Sequence, residues 1–115
     1  MPTHINYLLT QEIIKEDTPL KGILVGGARL EDHNHKSFQK EFGVEIYKTY
    51  GLTETCSFAT CDGRDKKSRV VGSSGKPIMA NEIQIFNPDS NKKVSNNTLG
   101  EIRIKGRNIF KEYLN

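Results

Sequence analysis

Apolar positions in the first half of the chain recur at helical spacing and then bunch into short runs. Ile5, Leu8, Leu9 and Ile13 stand at i, i+3, i+4 and i+8, one face of a 3.6-residue helix. This spacing predicts a helix over residues 3–16, with Thr3 as its N-cap and Asp17-Thr18-Pro19 as its end. Gly22-Ile23-Leu24-Val25-Gly26 is a continuous apolar run between glycines, the pattern of a strand buried on both faces. Residues 31–42 predict a second helix. Glu31 and Asp32 place acids where the helix dipole favours them. Phe38 and Phe42 lie one turn apart, and Gly43 is a natural stop. Val44 to Tyr47 predicts a second buried strand. Helix–strand–helix–strand is the order of parallel α/β structure.

Near residue 62 the period changes. Residues 62–81 carry Gly63, Gly72, Gly75 and Pro77 and read as loop. Glu82-Ile83-Gln84-Ile85-Phe86 and Glu101-Ile102-Arg103-Ile104-Lys105 each alternate polar and apolar, as half-buried strands do. Asn87-Pro88-Asp89-Ser90-Asn91 between them is turn chemistry. The two segments predict one antiparallel hairpin with a long tip. The fold expected is α/β, a part of a parallel sheet followed by antiparallel strands, with residues 1–61 and 62–115 as two subdomain pieces.

Composition limits the roles open to this pattern. The chain has 115 residues, 35% of them hydrophobic and 27% charged, with no Trp. That is one small domain, lean in core-forming residues. No apolar run approaches the roughly 20 residues that cross a bilayer, and Met1-Pro2-Thr3-His4 does not resemble a secretory signal. A cytoplasmic setting is expected. The net charge of +3 divides unevenly: residues 1–57 carry −2 and residues 58–115 carry +5. The excess is scattered, and no aromatic residue interleaves with Lys66 to Arg69. A solvated loop is therefore expected there, with no nucleic acid as partner. Cys56 and Cys61 form a C-x4-C pair without a second pair, which does not make a zinc site. His33 and His35 are two apart on a helix and point to different sides, so with Asp32 they are read as surface residues. Glu82 and Glu101 open alternating strands and are read as solvent-facing.

Two segments suggest chemistry by their placement. Gly26-Gly27-Ala28 follows the first buried strand, and Tyr50-Gly51-Leu52-Thr53-Glu54-Thr55 follows the second. Ligands of parallel α/β sheets bind beyond the carboxyl ends of strands. Glycines there let a ligand approach the backbone closely, although a tight strand-to-helix turn alone accounts for Gly26 and Gly27. Tyr50 offers a flat face for a base. Thr53 offers a hydroxyl to a phosphate oxygen. Glu54 offers a carboxylate to Mg2+, an ion that takes oxygen ligands and bridges to phosphates. Two such loops side by side suit a nucleotide. Gly72-Ser73-Ser74-Gly75-Lys76 is not a Walker loop, because its glycines are too close and Pro77 follows the lysine.

From Lys21 onward the chain resembles the adenylate-forming enzymes: acyl-CoA synthetases, luciferases and non-ribosomal adenylation domains. Gly26-Gly27-Ala28-Arg29-Leu30 is similar to their GGAPL loop, with Arg29 in place of the usual Pro. Tyr50 to Glu54 matches YGxTE. Gly72 to Pro77 matches GSxGxP, and Gly100 to Gly106 matches GELxIxG. Tyr113-Leu114-Asn115 is similar to the end of their GYLN element, with Glu112 where Gly is usual. Within the family, residues 2–9 and Thr53-Glu54-Thr55-Cys56-Ser57 look most like the o-succinylbenzoate–CoA ligases of menaquinone synthesis.

The resemblance implies a ligase that joins a small carboxylic acid to CoA at the expense of ATP, with Mg2+ as the metal. It implies catalytic roles for Thr53 and Glu54, with Thr53 at the α-phosphate and Glu54 on Mg2+. It implies Gly26, Gly27, Ala28, Tyr50, Gly51 and Thr53 around the nucleotide. It places Gly27, Cys56, Ser57, Gly75 and Lys76 toward the acyl pocket, though a small buried thiol is an equal reading of Cys56. Residues 100–106 would be structural, in a distorted β-barrel subdomain. The family's upstream phosphate loop, its ribose-binding Asp and its C-terminal catalytic Lys have no counterpart here. The expectation is a central piece of a larger ligase, inactive by itself and prone to self-association through cut sheet edges. The competing expectations are a non-catalytic interaction module and a different acyl-CoA ligase, such as one acting on fatty acids.

Overall fold

The computed structural model describes residues 1–11, 19–63, 65–70, 72–78 and 80–114. Helix α1 is Pro2–Leu9. Met1 is its N-cap, two residues before the expected Thr3, because Pro2 at the first helical position has no N–H to satisfy. The helix stops at Leu9 with Thr10 as C-cap, well short of residue 16. Ile13 and the predicted terminus at 17–19 fall largely outside the described residues. Ile5 is 2% exposed, and Leu8 and Leu9 pack on the same core, as the helical spacing predicts.

Strand β1 (Gly22–Val25) leads to α2 (Asp32–Phe42) and then β2 (Glu45–Tyr50). Glu31 caps α2, and Gly43 closes it at φ 65°, donating to Gln39 O at 3.0 Å. That left-handed closure is where glycine carries no steric penalty. β1 and β2 pair in parallel from Gly22 opposite Glu45 to Val25 opposite Lys48. Ile5, Val25, Leu30, Phe38, Val44 and Ile46 form the core, and the Phe38 and Phe42 rings stack at 4.6 Å. Burial of β1 on both faces does not hold, since Leu24 is 54% exposed. β1 also stands at the edge of its sheet among the described residues, with β2 on one side.

The sheet continues through β3 (Thr60–Cys61) and β4 (Lys76–Pro77), both antiparallel, in the order β1-β2-β3-β4. Two-residue strands carry no periodic signal, which is why residues 62–81 read as loop. β5 (Glu82–Phe86) and β6 (Glu101–Lys105) form a separate antiparallel pair, Glu82 opposite Lys105 and Phe86 opposite Glu101. The antiparallel hairpin is the one the alternation predicts; its register comes from the structure. Asn87 Oδ1 accepts the N–H groups of Asp89 and Ser90 at 2.9 and 2.8 Å, the side-chain turn that Asn favours. Glu82 and Glu101 are both exposed. Among the described residues no helix is long and apolar enough to cross a membrane.

Candidate nucleotide cleft

The parallel pairing brings the ends of β1 and β2 to one edge. Between them opens a cleft of about 590 Å³. Gly27 and Ala28 form one wall, Tyr50 and Gly51 a second, and Gly72, Ser73 and Ser74 a third. Thr49 donates its hydroxyl to Val25 O at 3.3 Å and ties the two strands just below the opening. Gly26 lies behind the wall, where a side chain would collide with that same hydroxyl. Gly27 turns at φ 85°, a conformation L side chains avoid. Lys48 and Asp32 line the cleft as well. Neither was expected there, because their roles depend on which face of β2 and α2 meets the opening.

Thr53, Glu54, Cys56, Ser57, Gly75 and Lys76 are not among the residues that line this cleft. Thr53–Thr55 is a 3-10 turn that follows directly from Gly51 and Leu52. Thr55 is 2% exposed, and its hydroxyl accepts the Leu52 N–H at 2.9 Å. Cys56 and Ser57 continue at positive φ, 47° and 116°, and both are exposed. Cys56 is therefore not a buried small apolar residue. Gly75, at φ 91°, presses against the Cys61 carbonyl, and Lys76 is exposed in β4.

A segment from the far end of the chain straps this loop. Asn108 Nδ2 donates to Thr55 O at 2.7 Å and Phe58 O at 3.3 Å. The Phe110 N–H donates to Glu54 O at 3.0 Å. The Tyr113 hydroxyl donates to Glu54 Oε1. That hydrogen bond, aided by backbone donation at Glu54, holds the Glu54 carboxyl below the usual carboxylate range. It raises the Tyr113 phenol in turn. The strap was not expected as part of the site; Tyr113 was noted only within a motif match.

The AMP-binding enzyme family matches residues 1–114. This chain belongs to that family. A 2-succinylbenzoate–CoA ligase of Staphylococcus aureus is 34% identical over 99% of this chain and 22% of its own length. The apo MatB structure from Rhodopseudomonas palustris superimposes with a TM-score of 0.87 at 29% identity, covering 98% of this chain and 23% of that one. The Bacillus subtilis o-succinylbenzoate coenzyme A synthetase in complex with ATP and magnesium ion has a TM-score of 0.81 at 29% identity, with coverage of 98% and 23%. The chain spans about a fifth of the length of the curated relatives it matches.

The magnesium ion named for the Bacillus subtilis structure is a hard cation that takes oxygen ligands. Thr53 and Glu54 supply hard oxygens. No cluster of three ligating side chains exists among the described residues. Mg2+ is commonly held by one or two carboxylates together with substrate phosphates.

A second cleft, about 520 Å³, runs along α2 and shares Asp32 and Lys48 with the first. His35, Lys36, Gln39 and Lys40 present one helix face to Lys66 and Arg69. Glu45 organises its floor, pairing with Lys66, with Arg69 Nη1 at 3.0 Å and with Gln39 Nε2 at 3.1 Å. The Lys66 and Arg69 donors, Lys66 foremost, pull the Glu45 carboxyl below its ordinary range. Arg69 also donates to Gly63 O at 2.8 Å and lies 4.6 Å from the Tyr47 ring centre. Its side chain is 14% exposed, so this part of the basic run is not the solvated loop expected. His33 is exposed, as read from the sequence, whereas His35 and Asp32 are half-buried and line this cleft rather than standing free on the surface.

Proposed function

We propose that this chain carries the nucleotide-facing part of an ATP-dependent acid–thiol ligase. In that reaction a carboxylate attacks the α-phosphate of ATP and pyrophosphate leaves. The CoA thiol then displaces AMP from the acyl-adenylate. The observation that carries the reading is the cleft itself, which joins Gly27-Ala28 to Tyr50-Gly51 at the carboxyl ends of two parallel strands. That is where α/β sheets place ligands.

In this reading Tyr50 stacks on adenine while Gly26, Gly27, Ala28 and Gly51 shape the space around it. Lys48 contributes positive charge to the opening. Thr53 donates to the α-phosphate and Glu54 holds Mg2+. When bound, the metal offsets charge on the phosphoryl oxygens. Cys56, Ser57, Gly75 and Lys76 face the acyl side. Residues 1–61 are part of the nucleotide-binding α/β subdomain, and residues 62–115 begin a β-barrel subdomain. The acid assigned is o-succinylbenzoate, which places the parent enzyme in menaquinone synthesis in the cytoplasm. The Staphylococcus aureus relative and the resemblance at residues 53–57 support that choice.

Calorimetry with ATP·Mg2+ tests the site. Base–aromatic stacking contributes about 1–3 kcal/mol, so Tyr50→Ala is expected to weaken binding about tenfold, and Glu54→Ala to remove the metal dependence. Binding unchanged by both substitutions overturns the assignment. Absent nucleotide binding together with capture of a protein partner supports an interaction module instead. Joined to the flanking segments of the Staphylococcus aureus relative, the chain is expected to support ATP–pyrophosphate exchange that depends on o-succinylbenzoate. Exchange driven by a long-chain fatty acid overturns the choice of acid.

A further inference from the structure

Glu54 is gripped at two points by one distant segment, its backbone carbonyl by the Phe110 N–H at 3.0 Å and its carboxylate by the Tyr113 hydroxyl. We propose that Tyr113 is a positioning residue that pre-sets the Glu54 carboxylate for a divalent cation. The inference rests on the reading of Glu54 as the residue that holds Mg2+.

The physical case begins with the exposure of the acid. A carboxylate on a surface turn samples several rotamers, and a metal that demands near-ideal geometry must select one of them. A hydroxyl donating to Oε1 restricts that rotation. Hydrogen-bonded partners of ligating carboxylates orient them in this way, and removing one costs about 10–100-fold in metal affinity. Tyr113 is itself braced: its ring meets the Phe110 ring edge-on at 4.6 Å and 83°. Asn108, earlier in the same segment, anchors the strap on the Thr55 and Phe58 carbonyls. The hydroxyl therefore comes from a segment fixed to the very loop it serves. Tyr113 acts through Glu54 and touches neither substrate nor metal in this proposal.

The test titrates the 115-residue chain with Mn2+ in the presence of ATP, reading free Mn2+ by electron paramagnetic resonance, beside ATP affinity in EDTA. Tyr113→Phe keeps the ring on Phe110 and removes only the hydroxyl. It is expected to weaken Mn2+ about 10–100-fold and to leave metal-free ATP affinity unchanged. Glu54→Gln is expected to abolish the protein's share of Mn2+ binding. Unchanged Mn2+ affinity in Tyr113→Phe, with the loss in Glu54→Gln, overturns the role of Tyr113 and leaves Glu54 standing. An equal fall in metal-free ATP affinity marks a merely structural tyrosine and also overturns it. Unchanged Mn2+ affinity in Glu54→Gln, or no Mn2+ bound by the wild-type chain beyond that held by ATP, defeats the reading of Glu54 and this inference together. A measurement free of the tyrosine variant uses ring NMR. Mg2+ added with ATP is expected to move the Tyr113 ring resonances in the wild type and not in Glu54→Gln. Resonances that stay fixed in the wild type overturn the proposal.

Discussion

Gly51 lies so close to Ser57 that a side-chain carbon on Gly51 would coincide with the Ser57 carbonyl. The obstruction is backbone, with the Phe58 Cα beside it, so no rotamer relieves it. The loop after β2 doubles back on its own start, and Tyr50 accepts the Ala59 N–H at 2.8 Å at the base of that fold. Gly51→Ala is expected to destabilise the chain by about 1–3 kcal/mol, the usual cost of overpacking. It should also weaken nucleotide binding, because the wall containing Tyr50 must shift. Thermal melts and calorimetry check the two effects separately.

Arg69 makes a different kind of prediction. It joins the loop after β3 to β2 through Glu45, Gly63 and the Tyr47 ring. Arg69→Ala is expected to cost about 1–2 kcal/mol, summed from a partly buried ion pair and a cation–π contact. Arg69→Lys is expected to restore little of it, because a lysine cannot fork between a carboxylate and a carbonyl while stacking on a ring. Urea denaturation of the three chains measures the difference.

His35 sets a pH dependence. Burial, then the nearby Lys48 and Arg69, push its imidazole below the ordinary 6.5, while Asp62 and Asp32 pull the other way without reversing the shift. The unfolded chain therefore binds a proton at a higher pH than the native chain does. This contribution to stability is fully present above pH 6.5 and is lost as pH falls through the lowered native value. His35→Gln is expected to flatten that slope. Melting temperatures between pH 5 and pH 8 decide it; an unchanged slope refutes the assignment.

The exposed flank of β1 leads to a prediction about assembly. Among the described residues β1 has β2 on one side only, and Leu20 and Leu24 are 55% and 54% exposed near it. An unprotected edge beside apolar surface favours strand pairing between copies. We propose that the chain self-associates through this edge. Sedimentation at rising concentration should show a dimer or larger species, and Leu24→Lys should shift it toward monomer. A clean wild-type monomer at high concentration counts against the edge.

The elements with a period were legible in the sequence. Ile5, Phe38 and the alternation of residues 82–86 and 101–105 placed two helices and a hairpin. The glycine-rich ends of β1 and β2 pointed to the cleft. What escaped was set by tertiary contact alone. β3 and β4 are two residues long and exist through pairing with β2 and with each other. The wall at Ser73 and Ser74 follows from Thr60 donating to Ser74 O at 2.6 Å, which no local pattern announces. Leu24 looked buried because its neighbours in sequence are apolar, whereas its exposure depends on whether another layer covers its face of the sheet. The amide contact of Asn108 with Thr55 O, 53 positions away, likewise has no local signal.

The Asn108–Thr55 hydrogen bond spans 53 positions. Bringing such distant residues together costs loop-closure entropy before any contact offsets it. The β5–β6 hairpin lies between them, and its formation shortens the effective distance to be closed. The turn that carries Thr53 and Glu54 is thus held in part by a contact of high sequence separation, and the closure cost of that contact falls on this turn rather than on the α1–α2 core.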